Sequence, residues 1–253
     1  KLGYMLVMKE LDNFDTNRID DVIDSLLSRQ VDGILWVVPE IGDNHAWLDD
    51  RLQNISVPVL FIAMKPRSGV PSVATDNYQG AVIATKHLLE LGKRRIGHIS
   101  GPSSWWEAEE RKRGWRETLQ HAGIDASDQH CTEGNWSSAS GEQAFLQLLD
   151  KYPYLDSVFV ANDQMALSVL REAHRRGICI PEQLAVVGFD NIAESAFFYP
   201  SLTTISQDLQ LLGEETVQSI VEMIQARQND RYFPIQARFI KPTLIVREST
   251  QQV

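Results

Sequence analysis

Short apolar runs of strand length alternate with segments of helical period along this chain, and this alternation constrains the fold more than any other feature. Each run is a nearly continuous hydrophobic stretch bounded by turn residues, which is typical of parallel strands covered on both faces. The alternation of such strands with helices predicts an α/β fold with parallel sheets flanked by helices. The runs cover residues 31–38, 57–63, 95–100, 157–161 and 184–189.

Helix ends can be read between several of these strands. We expect Asp76 to cap a helix that Gly92 terminates, because Asp favours the N-cap and Gly the position after the last turn. By the same rule, Asp163 caps a helix that Gly177 terminates. The strands are too many for one small sheet, so we predict two α/β lobes. No linker rich in Pro, Gly or Ser is present, which predicts short hinges between the lobes.

Composition and charge exclude several classes of protein. The chain has 253 residues, of which 43% are hydrophobic and 23% charged, and this composition excludes a disordered chain, a collagen and a coiled coil. The longest apolar runs, such as residues 33–39, fall short of the ~20 residues that a membrane helix needs, so no membrane partner is expected. A net charge of −10 disfavours nucleic-acid binding by this chain alone.

The cysteines indicate the cellular compartment. Cys131 and Cys179 are far apart and neither belongs to a CxxC pair, so we expect two reduced thiols in a cytoplasmic protein. No signal peptide is recognisable in the first residues of the sequence.

Polar and aromatic side chains follow several of the predicted strands. Ligands of open α/β sheets bind beyond the carboxyl ends of the strands, so these side chains are the candidate binding residues. Carboxylates and amides bind hydroxyl groups, arginine offers a planar set of donors, and tryptophan stacks on the apolar face of a sugar ring. The combination predicts a polyhydroxylated ligand. The candidates are Trp105, Arg111, Trp136, Asn162, Asp163, Asp190 and Gln207.

Most of these residues also have a purely structural interpretation, and the sequence leaves both open. A cap or turn explains an Asp or Asn after a strand, a solvated helix face explains an arginine in a charged stretch, and a core position explains a tryptophan. Trp105 precedes Trp106, and this pair either lines the mouth of a pocket or contacts a partner subunit. The cap or turn interpretation applies to Asn162, Asp163 and Asp190. The solvated-face interpretation applies to Arg111, and the core interpretation applies to Trp136.

Catalytic motifs are missing from the sequence. No two of the six histidines have metal-ligand spacing within a helix turn, and HExxH, GxSxG and Walker A motifs are absent. We therefore expect no catalytic residue, no metal site and no cofactor. A sugar-modifying α/β hydrolase is an alternative that the lack of a paired nucleophile and base disfavours.

An ordered series of short motifs runs from end to end of the chain. The motifs are DNYQG at 76–80, ELGKRRIGHI at 90–99, GP at 101–102, RKRGW at 111–115, ANDQMA at 161–166, VGFDN at 187–191, PSLTTI at 200–205 and LIVRES at 244–249. Each motif alone is weak evidence for a family, whereas the whole series in this order is highly specific. It resembles the effector-binding region of the LacI/GalR family of bacterial transcription regulators.

The resemblance implies a fold and a domain division. The fold would be two Rossmann-like lobes of the type I periplasmic-binding-protein class, joined by three crossovers, with a small effector in the cleft. The N-terminal lobe would contain residues 1–75 and 207–233, and the C-terminal lobe residues 76–206 and 234–253.

The resemblance also implies roles for individual residues. Arg111 matches the family arginine that holds effector hydroxyls or a carboxylate, Asp190 the aspartate after a Gly–aromatic pair, and Trp136 the stacking position. Asn162 matches an asparagine of the sugar-responsive members. The remaining matches are Gln207 as a polar residue near the last crossover and Asp76 as a cap or hinge residue. Trp105 belongs to a stretch that departs from the family pattern and should reshape the rim of the pocket.

The sequence departs from the family pattern in three places. Ala63 stands where the lactose-responsive member has an effector-binding aspartate, so lactose-type specificity is not expected. The stretch 105–110 is bulkier and more acidic than usual. Residues 2–7 resemble the segment where the family's first helix gives way to its second strand, so the first strand, most of the first helix, the hinge helix and the helix-turn-helix headpiece would precede Lys1. We therefore expect that residue 1 is not the natural start, and that some effector contacts lie upstream.

These observations together predict the effector-sensing domain of a LacI-type regulator. The resemblance implies a homodimer that binds operator DNA through the absent helix-turn-helix, and an effector, most often a sugar, that allosterically controls this binding. A periplasmic sugar-binding protein of a transporter, with the same fold and cleft, is the alternative.

Overall fold

The computed structural model describes residues 3–11, 14, 18–234 and 236–251. Within these residues, helices and strands alternate along most of the chain. The helices are α1 (Ile19–Leu27), α2 (Leu48–Arg51), α3 (Asn77–Glu90), α4 (Trp106–His121), α5 (Ser138–Lys151), α6 (Asp163–Arg175) and α7 (Leu209–Gln228). The strands are β1 (Ile34–Trp36), β2 (Val59–Ile62), β3 (Ser72–Thr75), β4 (Ile96–Ser100), β5 (Cys131–Glu133), β6 (Ser157–Val160), β7 (Ala185–Asp190), β8 (Thr203–Ser206), β9 (Ala237–Ile240) and β10 (Thr243–Ile245).

The chain forms two compact units. Unit 1 comprises Lys1–Ala74 and Gly213–Arg238, and unit 2 comprises Thr75–Leu212 and Phe239–Val253. The chain thus passes between the units after residues 74, 212 and 238, where the sequence predicted passages after residues 75, 206 and 233.

Unit 2 is built on a six-stranded sheet in the order β10-β8-β7-β6-β4-β5. The pairs from β8 to β5 are parallel, as the continuous apolar runs predict. The exception is the edge strand β10, which pairs with β8 in the antiparallel sense. An antiparallel edge strand on a parallel sheet is common because the edge has only one neighbour to match.

Both faces of the unit 2 sheet are covered by helices. On one face, Val158, Val160 and Val186 pack with side chains of α5 and α6. On the other face, Phe159 and Val187 pack with side chains of α3 and α4. Successive strand residues point to opposite faces, so a strand that is buried on both faces must be apolar throughout. This explains why the strands of unit 2 were readable as uninterrupted runs.

Unit 1 contains a four-stranded sheet in the order β1-β2-β3-β9. Its core includes Ile34, Trp36 and Phe61, with Ile19 and Ile23 of α1 packed against them. Residues 3–11 have no regular secondary structure, which differs from the passage from helix to strand that the resemblance implies for residues 2–7. An extended segment becomes a strand only where a neighbour accepts its hydrogen bonds, and the strands that the structure describes do not. Leu2 lies outside the described residues.

The helix ends of unit 2 follow the predicted rules in three of four places. The Asp76 side chain accepts a hydrogen bond from the backbone N–H of Gln79 and caps α3. Gly92 and Gly177, which follow α3 and α6, have φ values of 80° and 69°, the left-handed conformation that terminates helices. The predicted cap at Asp163 is wrong, for a reason that involves the candidate site.

Candidate functional site

The carboxyl ends of the parallel unit 2 strands lie along one edge of the sheet. At one point along this edge, the order in which the chain forms the strands reverses. The chain runs from β4 to β5 at one edge and then returns to β6 on the other side of β4. The segments that follow β4 and β6 therefore diverge and leave a crevice, which is where open α/β sheets bind ligands. Gly101 follows β4, Asn162 follows β6 and Asp190 ends β7.

Arg111 is the central cation of this region and is buried, with 5% of its surface exposed. Its Nε donates to Asn77 Oδ1 at 2.8 Å and its Nη1 donates to the carbonyl oxygen of Ala161. Nη1 also lies 3.7 Å from Asp190 Oδ1. Burial lowers the pKa of the guanidinium and the neighbouring carboxylates raise it. The interpretation of Arg111 as part of a solvated helix face is therefore wrong, because these partners draw it inward from α4.

Asp190 is the acid that faces Arg111. Its Oδ1 accepts a hydrogen bond from Gln207 Nε2 at 2.6 Å. Burial raises the pKa of Asp190, while Arg111 and the hydrogen bond from Gln207 oppose the rise. The second carboxylate oxygen, Oδ2, has no hydrogen bond to the residues that the structure describes.

Asn162, rather than Asp163, is the N-cap of α6. The Asn162 Oδ1 accepts from the backbone N–H of Met165 at 3.0 Å, and its Nδ2 donates to the carbonyl oxygen of Trp136 at 2.9 Å. Asn and Asp are equally good caps, so the tertiary partner decides between them. Only the amide can donate to the Trp136 carbonyl while it also accepts from the helix.

Asp163 occupies the first turn of α6 and is completely buried. Its Oδ1 lies 2.6 Å from the hydroxyl of Thr204, and its Oδ2 accepts from the backbone N–H of Ile192 at 2.9 Å. Burial raises the pKa of Asp163 to about 7, and the hydrogen bonds from Thr204 and Ile192 oppose the rise.

Aromatic rings form the walls of this region. The guanidinium carbon of Arg111 lies 3.7 Å from the centre of the Phe189 ring and 5.7 Å from that of Trp136. The rings of Trp105 and Trp136 are 5.7 Å apart and nearly perpendicular, at 74°. Trp136 has a φ of 71°, and its ring lies directly on Gly101, where a Cβ would come within 2.1 Å of the indole.

Comparison with known proteins decides the family. A family model described as a periplasmic binding protein-like domain matches residues 85–250. The lactose operon repressor of Klebsiella pneumoniae is 34% identical over 233 residues, which are 91% of this chain and 63% of that repressor. The chain belongs to the LacI/GalR family. It corresponds to the effector-binding domain, and it spans less than two thirds of the length of the Klebsiella repressor.

Solved structures of LacI/GalR members have the same fold. The lactose repressor bound to the anti-inducer ONPF in the induced state has a TM-score of 0.85 at 27% identity, over 99% of this chain and 90% of that one. A complex of the transcriptional regulator CelR with cellobiose has a TM-score of 0.78 at 32% identity, over 91% and 69% of the two chains. These similarities confirm the predicted fold class and the prediction that the chain is not an enzyme. They favour a regulator over a transport protein.

The structure brings most of the predicted site residues together. Arg111, Asp190 and Gln207 form one contiguous set, and Trp136 joins it through its contacts with Arg111, Asn162 and Trp105. Asp76 lies apart as the cap of α3, one of the two roles expected for it. Three residues of the region were missed by the sequence analysis. They are Asn77 and Phe189, which contact Arg111, and Thr204, which contacts Asp163.

A partial signal for the missed residues was present in the motifs. Asn77 follows Asp76 in the DNYQG motif, and Phe189 precedes Asp190 in VGFDN, but neither residue was singled out. Among the described residues, no group of three His, Cys, Asp or Glu side chains is placed to hold a metal ion. No described helix is long and apolar enough to span a membrane.

Proposed function

We propose that this chain senses a small carbohydrate and thereby controls the binding of operator DNA by a repressor that contains it. The observation that carries the proposal is the pairing of Arg111 with Asp190 beside the indole ring of Trp136. A charged donor and a charged acceptor next to an aromatic face are what a sugar ring requires, because its hydroxyls are polar and its C–H face is apolar.

Each of the two polar anchors retains hydrogen-bonding capacity. Within the described residues, Nη2 of Arg111 makes no hydrogen bond, and Oδ2 of Asp190 accepts none. A ligand hydroxyl that accepts a hydrogen bond from Arg111 Nη2 and donates one to Asp190 Oδ2 would satisfy both groups. A ligand without these hydroxyls would leave them buried and unpaired, which costs about 1–3 kcal/mol for each group, so the site discriminates by polarity.

The size of the effector is suggested by the second tryptophan. Trp105 stands nearly perpendicular to Trp136, and together the two rings form an aromatic corner beside the polar anchors. The structural relative CelR is solved as a complex with cellobiose. We therefore propose a disaccharide as the effector class.

Several further parts of the function rest on the relatives. The curated relative is a repressor longer than this chain, so operator binding through a helix-turn-helix outside this sequence, and a cytoplasmic location, are proposals for the whole protein. The acidic net charge of −10 agrees with DNA contacts that lie elsewhere. We also propose a homodimer, because Phe197 and Tyr199 of unit 2 are 87% and 86% exposed, and adjacent exposed aromatic residues are typical of interfaces.

Allosteric control requires that the effector bind the two functional states with different affinities. Shifting a two-state equilibrium from 1:99 to 99:1 needs a difference of about 5.5 kcal/mol. The contacts of one sugar with Arg111, Asp190 and two indoles are of a kind that can supply such a difference.

The test is a titration of the purified protein by calorimetry with cellobiose, lactose, glucose and a purine nucleobase. We expect a disaccharide to bind, and to stabilise the fold by about 2.7 kcal/mol at a concentration of 100 times Kd. Asp190→Asn, which preserves the size of the side chain, should abolish this binding. Asp156→Asn is the control, because Asp156 accepts hydrogen bonds from the N–H of Arg95 at the amino ends of the strands. Binding of the nucleobase alone, or disaccharide binding that survives Asp190→Asn, would contradict the proposal.

A further inference from the structure

The loop of residues 190–192 follows β7 and carries the acid of the candidate site. Two consecutive residues of this loop have positive φ values, Asp190 at 118° and Asn191 at 56°. Such backbone conformations are unfavourable for residues with a side chain and persist only where the surroundings hold them. The conformation that places Asp190 beside Arg111 therefore needs an anchor outside the loop.

The main anchor is the carboxyl group of Asp163. Its Oδ2 accepts from the backbone N–H of Ile192, and its Oδ1 contacts the Thr204 hydroxyl. The space for this group is provided by strand β7, since a Cβ at Gly188 would lie 2.3 Å from Asp163 Oδ1. One side chain thus joins α6, β8 and the loop after β7.

Two further contacts hold the middle of the loop. Asn191 accepts a hydrogen bond from Arg247 Nη2 at 2.7 Å and donates to Ser206 Oγ at 3.2 Å. These contacts fix the Asn191 side chain. The Asp163 contact instead fixes the backbone N–H of Ile192, the residue that follows the two positive-φ residues. The two sets of contacts can therefore be tested separately.

We propose that Asp163 is the positioning residue of the effector site, whose carboxyl group bridges Thr204 to the 190–192 loop and so sets the direction in which Asp190 faces the effector. This inference rests on the proposed function of Asp190 as an effector ligand. Asp163 itself is buried behind the loop and acts through Asp190.

The geometry of the bridge accommodates the neutral form of the acid as well as the ionised form. A protonated Oδ1 can donate to Thr204 Oγ1, which also accepts from the backbone N–H of Asn191 at 3.3 Å, while Oδ2 continues to accept from Ile192. Protonation therefore leaves every hydrogen bond of the bridge intact. Because burial raises the pKa of Asp163 to about 7, both forms are populated at physiological pH.

The sign of the pH dependence follows from the surroundings of Asp163. The charged groups that face it are Asp190 at the end of β7 and Arg111 on α4, and Arg247 contacts the same loop. Opening of the loop would hydrate Asp163 and bring its pKa down toward the ordinary value. In the open loop Asp163 is ionised above about pH 4, whereas in the closed loop it stays protonated up to about pH 7, so effector affinity falls by up to about tenfold per pH unit between these two values and is constant above about pH 7.

The experiment compares three variants of the intact protein. Asp163→Asn imitates the neutral acid, because its amide donates to Thr204 and its oxygen accepts from Ile192. Asp163→Ala removes the bridge, and Asp156→Asn is the control at the opposite end of the strands. Two quantities are measured from pH 5 to pH 9: Kd for cellobiose and for lactose, and the hydrogen-exchange protection factor of the Ile192 amide.

We expect both quantities to depend on pH in the wild-type protein and in Asp156→Asn, with affinity and protection falling from pH 5 to about pH 7 and constant above it. Asp163→Asn should retain the wild-type values of low pH throughout the range, and Asp163→Ala should lose about tenfold or more in protection. An unchanged pH profile in Asp163→Asn, or wild-type protection in Asp163→Ala, would overturn the inference. If neither sugar binds the wild-type protein, the carbohydrate proposal fails, and the protection factors alone decide the role of Asp163.

Discussion

The guanidinium carbon of Arg111 lies 3.7 Å from the centre of the Phe189 ring, while its Nε and Nη1 atoms donate to Asn77 and to the carbonyl of Ala161. A cation packed in this way is part of the core of unit 2 as well as part of its candidate site. Stability and effector binding are therefore linked at this side chain, and the predictions begin with it.

Arg111→Ala should destabilise unit 2 as well as abolish effector binding. Removal of the guanidinium leaves the Asn77 amide oxygen and the Ala161 carbonyl without their donor and opens a cavity over Phe189, and such losses cost about 3–5 kcal/mol. Urea denaturation measures the change. Arg113→Ala on the same helix is the control, because the Arg113 side chain is 48% exposed and its loss should cost less than about 1 kcal/mol. An unfolding midpoint of Arg111→Ala equal to that of the wild type would disprove this structural role.

Gly101→Ala should weaken sugar binding through Trp136. The added Cβ would lie 2.1 Å from the indole ring, so the ring must leave its place at a cost of about 1–3 kcal/mol. Tryptophan fluorescence and calorimetric titration with the bound sugar report the two effects. Gly213→Ala is the matched control, because no atom lies within 4 Å of its added Cβ. Equal sugar affinity in Gly101→Ala and the wild type would show that Trp136 is not a binding surface.

Mild acid should destabilise unit 2 through His98. This side chain is completely buried between Trp115 and Phe159, with ring centres 5.4 and 4.9 Å away, and burial lowers its pKa from 6.5 to about 3. A lowered pKa in the folded state contributes stability that is present above pH 6.5. That stability is lost as the pH falls toward 3, by up to about 1.4 kcal/mol per pH unit.

The measurement is the unfolding temperature between pH 4 and pH 8 for the wild type and for His98→Phe. The variant should be less stable at pH 8, because the Phe159 carbonyl loses the His98 Nδ1 as its donor. Its stability should nevertheless fall less steeply with acid. If the unfolding temperatures of the two proteins fell equally with decreasing pH, His98 would not be the cause of the loss of stability in acid.

Replacement of Phe197 and Tyr199 by serine should dissociate the proposed homodimer. Both side chains are almost fully exposed in the isolated chain, so their loss should change the stability of the monomer by less than about 0.5 kcal/mol. Sedimentation velocity gives the association state. Tyr232→Ser is the control, because Tyr232 is 88% exposed and lies in unit 1. A wild-type sedimentation coefficient for the double variant would place the interface elsewhere.

The sequence was a good guide to the central strands and a poorer guide to side-chain partners. The strands β4, β6 and β7 were predicted because burial on both faces makes them apolar throughout. The strands β3, β9 and β10 have the sequences SVAT, ARFI and TLI, in which at most two apolar residues are consecutive, so no uninterrupted apolar run marks them. The antiparallel sense of β10 depends on the path of the chain between sheets, which local pattern does not encode.

The burial of Arg111 could not be read from its neighbours in sequence. The stretch around it is highly charged, and its two hydrogen-bond acceptors come from 34 and 50 residues away. The cap of α6 was predicted at Asp163 and is found at Asn162, and this difference also depends on contacts that are distant in sequence. Either residue can cap a helix, and the contacts with Trp136, Ile192 and Thr204 that assign them come from distant parts of the chain.

The double attachment of Asn162 has a consequence for redesigning this domain toward new ligands. Its amide caps α6 and also holds the Trp136 carbonyl. Variants at this position are therefore lost because they do not fold, before their ligand binding can be selected. Diversification is therefore better begun at a site residue that caps no helix, such as Gln207, which follows β8, so that selection acts on the ligand alone.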